Sequence, residues 1–155
     1  MTIEASRRSG TALQRVLVRA VVGSFFFGAI FTAFGTFGPF TSNETEFTTT
    51  ELFQWMVGLA ALVVAGAVVW MAGKSGTVVG NTGGAANRAL IFGIVAIISF
   101  PVFWLGIYAA FAAGSFVLGG ASIRGATGGA KVKSIAGVAL AAVATVFSAS
   151  LNLFG

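Results

Sequence analysis

The stretch ALIFGIVAIISFPVFWLGIYAAFAAGSFVLGGASI, residues 89–123, holds no charged side chain, and its reading decides the fold. As a single helix these roughly 35 residues would reach about 52 Å at 1.5 Å per residue, against a hydrocarbon core of about 30 Å. The block is too long for one span and short for two. Pro101 lies inside it. Proline lacks a backbone donor and clashes with the preceding turn, so it ends or kinks a helix at the residue before it. Charge chooses between the two readings. Residues 73–88 carry Lys74 and Arg88, and residues 124–133 carry Arg124, Lys131 and Lys133; neither segment has an acid. Lys and Arg favour the cytoplasmic side of a membrane, so both segments read as inside loops, and the block between them must go out and return. A tight helical hairpin follows, 89–103 and 107–123, turning between Pro101 and Gly106. The rival reading is one kinked span, four helices in all, with a basic loop outside.

The same logic extends to both ends of the chain. Residues 1–15 form a basic cytoplasmic tail containing Arg7, Arg8 and Arg15, and Arg19 follows within reach of the headgroups by snorkelling. The apolar block at 16–37 exceeds a signal-peptide core and has no small-residue cleavage site after it, so it reads as a retained helix. Pro39 closes that block. Residues 40–51, FTSNETEFTTTE, hold Glu44, Glu46 and Glu51, three of the four acids in the chain, and no base. They read as an outside loop. Asn43-Glu44-Thr45 has the form of a glycosylation sequon, and Thr48 with Glu51 has the form of a capping box. A second span covers 52–72, and a last one covers 134–154. Residues 16–155 thus make a single transmembrane helical domain.

Composition agrees with this class. Of 155 residues, 57% are hydrophobic and 8% charged, and mean hydropathy is +0.96. A soluble domain carries about 25% charged residues, so a water-facing surface could not be covered here. The net charge of +5 sits in the tail and loops, and no aromatic-basic groove motif accompanies it. No nucleic-acid partner is expected. The chain has no Cys and no His, which removes thiol nucleophiles, disulfides and the usual zinc ligands. Gly73-Lys74-Ser75 matches the tail of a phosphate-binding loop, but Val68 stands where the opening glycine belongs, inside an apolar helix. Residues 73–88 therefore read as a flexible Gly-rich linker.

The remaining signals concern packing. Gly106, Ala110 and Gly114 are spaced by four, and Gly137, Ala141, Ala144 and Ser148 fall on one helical stripe. Small residues let helix backbones approach closely in lipid, so these seven are the candidate packing faces. Whether they meet within one chain or between chains stays open at this level. Trp55, Trp70, Trp104 and Tyr108 are the candidate interface anchors. Phe25, Phe26, Phe27, Phe31 and Phe34 point most of the way around the first helix, as lipid contact or packing requires. No acidic or basic residue lies mid-span, where ion-coupled transporters and proton relays hold one. Ser and Thr lack a base to activate them. No catalytic, cofactor-binding or metal residue is nominated.

From Arg88 onward, the pieces RALIFGIVAIISF, AAFAAGSFVLGGASIRG and KSIAGVALAAV resemble a family of small bacterial membrane domains of unknown function, common in actinobacteria. That family pairs a broken apolar block with a basic, Gly-containing loop and a final helix opening on Ala-Gly, here Ala136-Gly137. A second glycine often found shortly afterwards is replaced, with Ala141 or its neighbours in its place. The resemblance implies the hairpin and no reaction.

The expectation is an all-α integral membrane protein, a bundle of four to five transmembrane segments. It would lie in a prokaryotic cell membrane or a virion membrane, with the N-terminus cytoplasmic and 40–51 outside. Its partners would be the lipid bilayer and other membrane proteins or further copies of itself. The expected function is a non-catalytic structural or accessory subunit of a respiratory, secretion or virion membrane complex, without a cofactor. The alternatives are a small homo-oligomeric channel or transporter, whose pore would use Ser99, Ser115, Thr145 and Ser148, and a binder of a lipid or apolar cofactor.

Overall fold

The computed structural model describes residues 3–37, 49–77, 81–99, 102 and 105–154, with side chains of the first helix described from Thr11 to Ala33 and of the last to Leu151. The described residues form five α-helices: α1 (Ile3–Phe37), α2 (Thr49–Lys74), α3 (Thr82–Ile98), α4 (Ile107–Ile123) and α5 (Gly128–Phe154). A 3-10 turn, Ser75–Thr77, extends α2. Three stretches are long and apolar enough to cross a membrane: Thr11–Ala33, Thr49–Thr77 and Gly128–Leu151. They fit a membrane protein. The helices α3 and α4 are shorter, at 17 residues each.

The block that decides the fold forms two separate helices, α3 and α4. The first ends at Ser99, whose N–H bonds Val95 O at 2.9 Å. The second opens on Gly106, which sits at φ 68, in the left-handed region. A side chain there would be strained. It would also collide, because a Cβ on Gly106 would lie 2.8 Å from Thr32 Oγ1 and 3.1 Å from the carbonyl oxygen of Gly28. Sequence placed the first arm at 89–103; the helix instead covers 82–98. The correction comes from Asn81, whose side chain accepts from Gly84 N at 2.9 Å and caps α3. A side-chain acceptor at that position satisfies an otherwise orphan donor, which outweighs the poor helix propensity of Gly83 and Gly84.

Two other boundaries move for similar reasons. The basic loop expected at 124–133 shrinks to residues 124–127, because α5 starts at Gly128. Residues 3–15 of the basic tail continue the first helix rather than standing apart from it.

Neighbouring helices run in defined directions. Leu17 faces Gly73, Gly28 faces Leu62 and Thr32 faces Gly58, so α1 and α2 are antiparallel. The pairs Phe92–Phe111 and Ala89–Ser115 make α3 and α4 antiparallel. Asn87–Lys133 and Gly93–Gly137 make α3 and α5 parallel. The fourth helix touches all the others. Its buried residues, among them Tyr108, Ala110, Ala112, Gly114, Ser115, Leu118, Gly119 and Ser122, take up most of its circumference, with Phe116, Gly120 and Ala121 left exposed. One core cluster joins Leu17, Leu62, Val69, Phe92, Ala110 and Leu118 from the first four helices. A second joins Ala96, Ala112, Ala141 and Ala144 from the last three.

Candidate functional site: packing faces, a groove and a basic end

The nominated small residues lie inside this single chain. Ala110, Ala141, Ala144 and Ser148 are all buried to within 1%. Gly106 backs onto α1, and Gly114 lies against Val69 and Phe92. Gly137 is among the tightest points. A Cβ there would stand 2.5 Å from the carbonyl carbon and oxygen of Ala89, so helix backbones meet with no room for a methyl group. The partner stripe on α3, made of Ala85, Ala86, Ala89, Gly93 and Ala96, was missed by sequence reading. Its signal was the spacing of four between Ala89 and Gly93.

Hydroxyl groups complete these contacts. Ser115 Oγ donates to Ala89 O at 2.8 Å, across from α4 to α3. Ser122 Oγ and Ser134 Oγ lie 2.6 Å apart and join α4 to α5. Their further acceptors are Gly119 O at 3.1 Å and Ala130 O at 2.9 Å. Each hydroxyl has one proton, so one serine donates to the other while the second donates to its own helix. Ser99 and Thr145 bond Val95 O and Ala141 O, one turn back on their own helices. Thr32 Oγ1 is buried and finds no partner among the described residues.

Of the expected interface anchors, Trp70 lies on the surface and carries Lys74 Nζ 5.7 Å from its ring centre. Trp55 is half-buried. Tyr108 corrects the expectation. It is 0% exposed, because it lies one residue into the most enclosed helix. Trp104, Pro101, Pro39, the sequon at Asn43 and Thr48 of the capping box lie outside the described residues.

Charge is sorted along the bundle. Arg15 and Arg19, which flank Leu17 of α1 where it faces Gly73, Lys74 at the end of α2, Arg88 in the second turn of α3, Arg124 after α4, and Lys131 and Lys133 at the start of α5 share one end. Helix directions alone put them there. Glu51 opens α2 at the other end. Arg88, read as a loop residue in the sequence, is helical, and its Nε donates to Ala72 O at 2.8 Å. Lys133 Nζ donates to Asn87 Oδ1 at 2.9 Å.

An apolar groove of about 430 Å³ lies between α1 and α2. Val18, Val22 and Phe25 form one wall, and Leu62, Val63 and Trp70 the other. Ser24 lines it too, but its hydroxyl is bonded to Val21 O at 2.8 Å. Val18 also lines a more polar hollow with Thr11, Gln14, Arg15 and Arg19. The two adjoin at Val18, so the groove has a basic mouth beside its lower-numbered α1 end. Among the described residues no cluster of acidic or other metal-ligating side chains occurs. Comparison with protein-family profiles, curated proteins and solved structures found no match, so the resemblance drawn at residues 88–143 rests on those residues alone.

Proposed function

We propose that this chain is a non-catalytic, multi-pass membrane protein that serves as a structural or accessory subunit of a larger membrane assembly. One observation carries the reading. The interior is filled by Ala, Gly and Leu, and its Ser and Thr hydroxyls are largely spent on helix backbones or on each other. Such groups lock helices together and present no reacting atom. The same bonds weigh against the channel reading, since Ser99, Ser115 and Thr145, three of its four proposed pore groups, already donate to carbonyls.

The topology proposed is five membrane segments, N-terminus cytoplasmic. The gathering of Arg15, Arg19, Lys74, Arg88, Arg124, Lys131 and Lys133 at one end supports it, because basic residues are retained inside. At 17 residues, α3 and α4 each reach roughly 26 Å. Local thinning of the bilayer, or a turn held at the headgroups, closes the small gap to about 30 Å.

The test is affinity purification from native membranes in mild detergent, with mass spectrometry of what stays bound. The reading expects a larger protein at fixed stoichiometry. A lone monomer overturns it, and a defined homo-oligomer moves the weight to a channel.

A further inference from the structure

The geometry points to a binding site for one anionic phospholipid on the α1–α2 face, with an acyl chain in the apolar groove and the phosphate at its basic mouth. The inference rests on the membrane reading, which sets the basic end at headgroup level. Three observations fix the occupant. The groove walls from Val18 to Phe25 and from Leu62 to Trp70 are apolar, and the one hydroxyl among them, on Ser24, is already bonded internally. The site thus suits hydrocarbon and offers nothing to a polar solute. It runs two helical turns, roughly 11 Å along the helix axis, which keeps it within one leaflet of a core about 30 Å thick.

The mouth supplies the sign of the headgroup. Arg15 and Arg19 line the hollow that shares Val18 with the groove. On the opposite wall Lys74 stands over Trp70. Glu51, the one acid whose side chain is described, lies at the far end of α2. Cations on both helices, with no acid among the described side chains beside them, attract a phosphate diester of net negative charge over a zwitterionic one. Arg contributes a planar fork that fits phosphate oxygens in pairs. A partner helix would suit the apolar walls but gives no reason for the basic mouth.

The experiment uses the full chain, purified in neutral detergent and analysed by native mass spectrometry. Phosphatidylglycerol and phosphatidylcholine with the same acyl chains are added in competition. The expected result is a single retained phosphatidylglycerol, favoured roughly tenfold or more over phosphatidylcholine. Arg15→Gln with Arg19→Gln abolishes the preference, and Ala67→Phe, at an exposed position lining the groove, lowers retention of both lipids. Lys131→Gln with Lys133→Gln removes the same charge away from the groove and leaves the preference intact. Equal retention of the two lipids overturns the inference. So does equal loss in the Lys131 and Lys133 variant, or displacement of the lipid by glycerol phosphate, or a dimer that Ala67→Phe dissociates. Circular dichroism checks that each variant is helical. Alkaline carbonate extraction separates the two levels of failure: release of the chain from membranes sinks the membrane reading, whereas retention without lipid preference sinks only the site.

Discussion

Arg88 in α3 caps a different helix from its own: its Nε donates to Ala72 O in the last turn of α2, and its Nη1 donates to Gly84 O at 2.9 Å. The last carbonyls of a helix have no intrahelical partner and carry partial negative charge. A guanidinium that serves two carbonyls at once therefore holds the end of α2 to the start of α3. Arg88→Gln is expected to lower unfolding free energy by about 1 kcal/mol, measured by denaturation from mild into harsh detergent. Arg88→Lys should recover only part of it, since an ammonium lacks the fork that reaches both acceptors. Full recovery by lysine would show that charge alone matters.

The contact of Gly137 with the Ala89 backbone gives the sharpest packing prediction. Backbone cannot swing aside as a side chain can, so Gly137→Ala must push α3 and α5 apart. The expected cost is about 1–3 kcal/mol, the range for overpacking. Gly23 and Gly129 face open space. There the same change should be neutral or stabilising by roughly 0.5–1 kcal/mol, through helix propensity. Thermal stability of the three variants in one detergent checks the order.

For Ser122 and Ser134 the coupling is the observable. Each single change to Ala removes the bond between α4 and α5, so the double change should cost less than the sum of the two. Interhelical hydroxyl bonds in membranes are worth about 0.6 kcal/mol on average. Strict additivity in a double-mutant cycle would mean that the bond contributes nothing.

Absence of cysteine makes topology directly readable. Single Thr49→Cys and Val102→Cys variants should react with an impermeant maleimide added outside intact cells. Thr127→Cys should react only after permeabilisation. Outside labelling of position 127 would restore the four-span rival.

Much of the helical architecture was written in local patterns. Long uncharged blocks marked the helices, and Pro101 marked the break, because a missing donor acts within one turn. The positions of Lys and Arg indicated which ends gather. Asn81 as a cap was less legible, since the glycines after it argue for a linker more loudly than one amide argues for a helix. Arg88 was placed in that linker for the same reason. The small-residue stripe on α5 was visible, yet its partner on α3 was masked by the large residues Leu90, Ile91 and Phe92 that interrupt it in sequence. Tyr108 was misassigned because amphipathic rings favour interfaces, while its real position depends on α4 being enclosed by four helices. The groove could not be read at all. It exists only because small residues of α2, Gly66 and Ala67, come to lie beside Val18, Val22 and Phe25 of α1 and leave room there.

The central position of α4 has a consequence for biogenesis. On a ribosome the helices emerge in chain order, and α4, which touches all the others, comes fourth. On the proposed membrane reading, α1 and α2 can pair as they emerge, but until residues 107–123 have entered the bilayer the faces of α1, α2 and α3 that pack on α4 lack that partner. On that reading the bundle closes only after α4 is inserted, and a chain arrested before Ile107 would leave Val69 and Phe92, which face Gly114, to whatever assists its assembly.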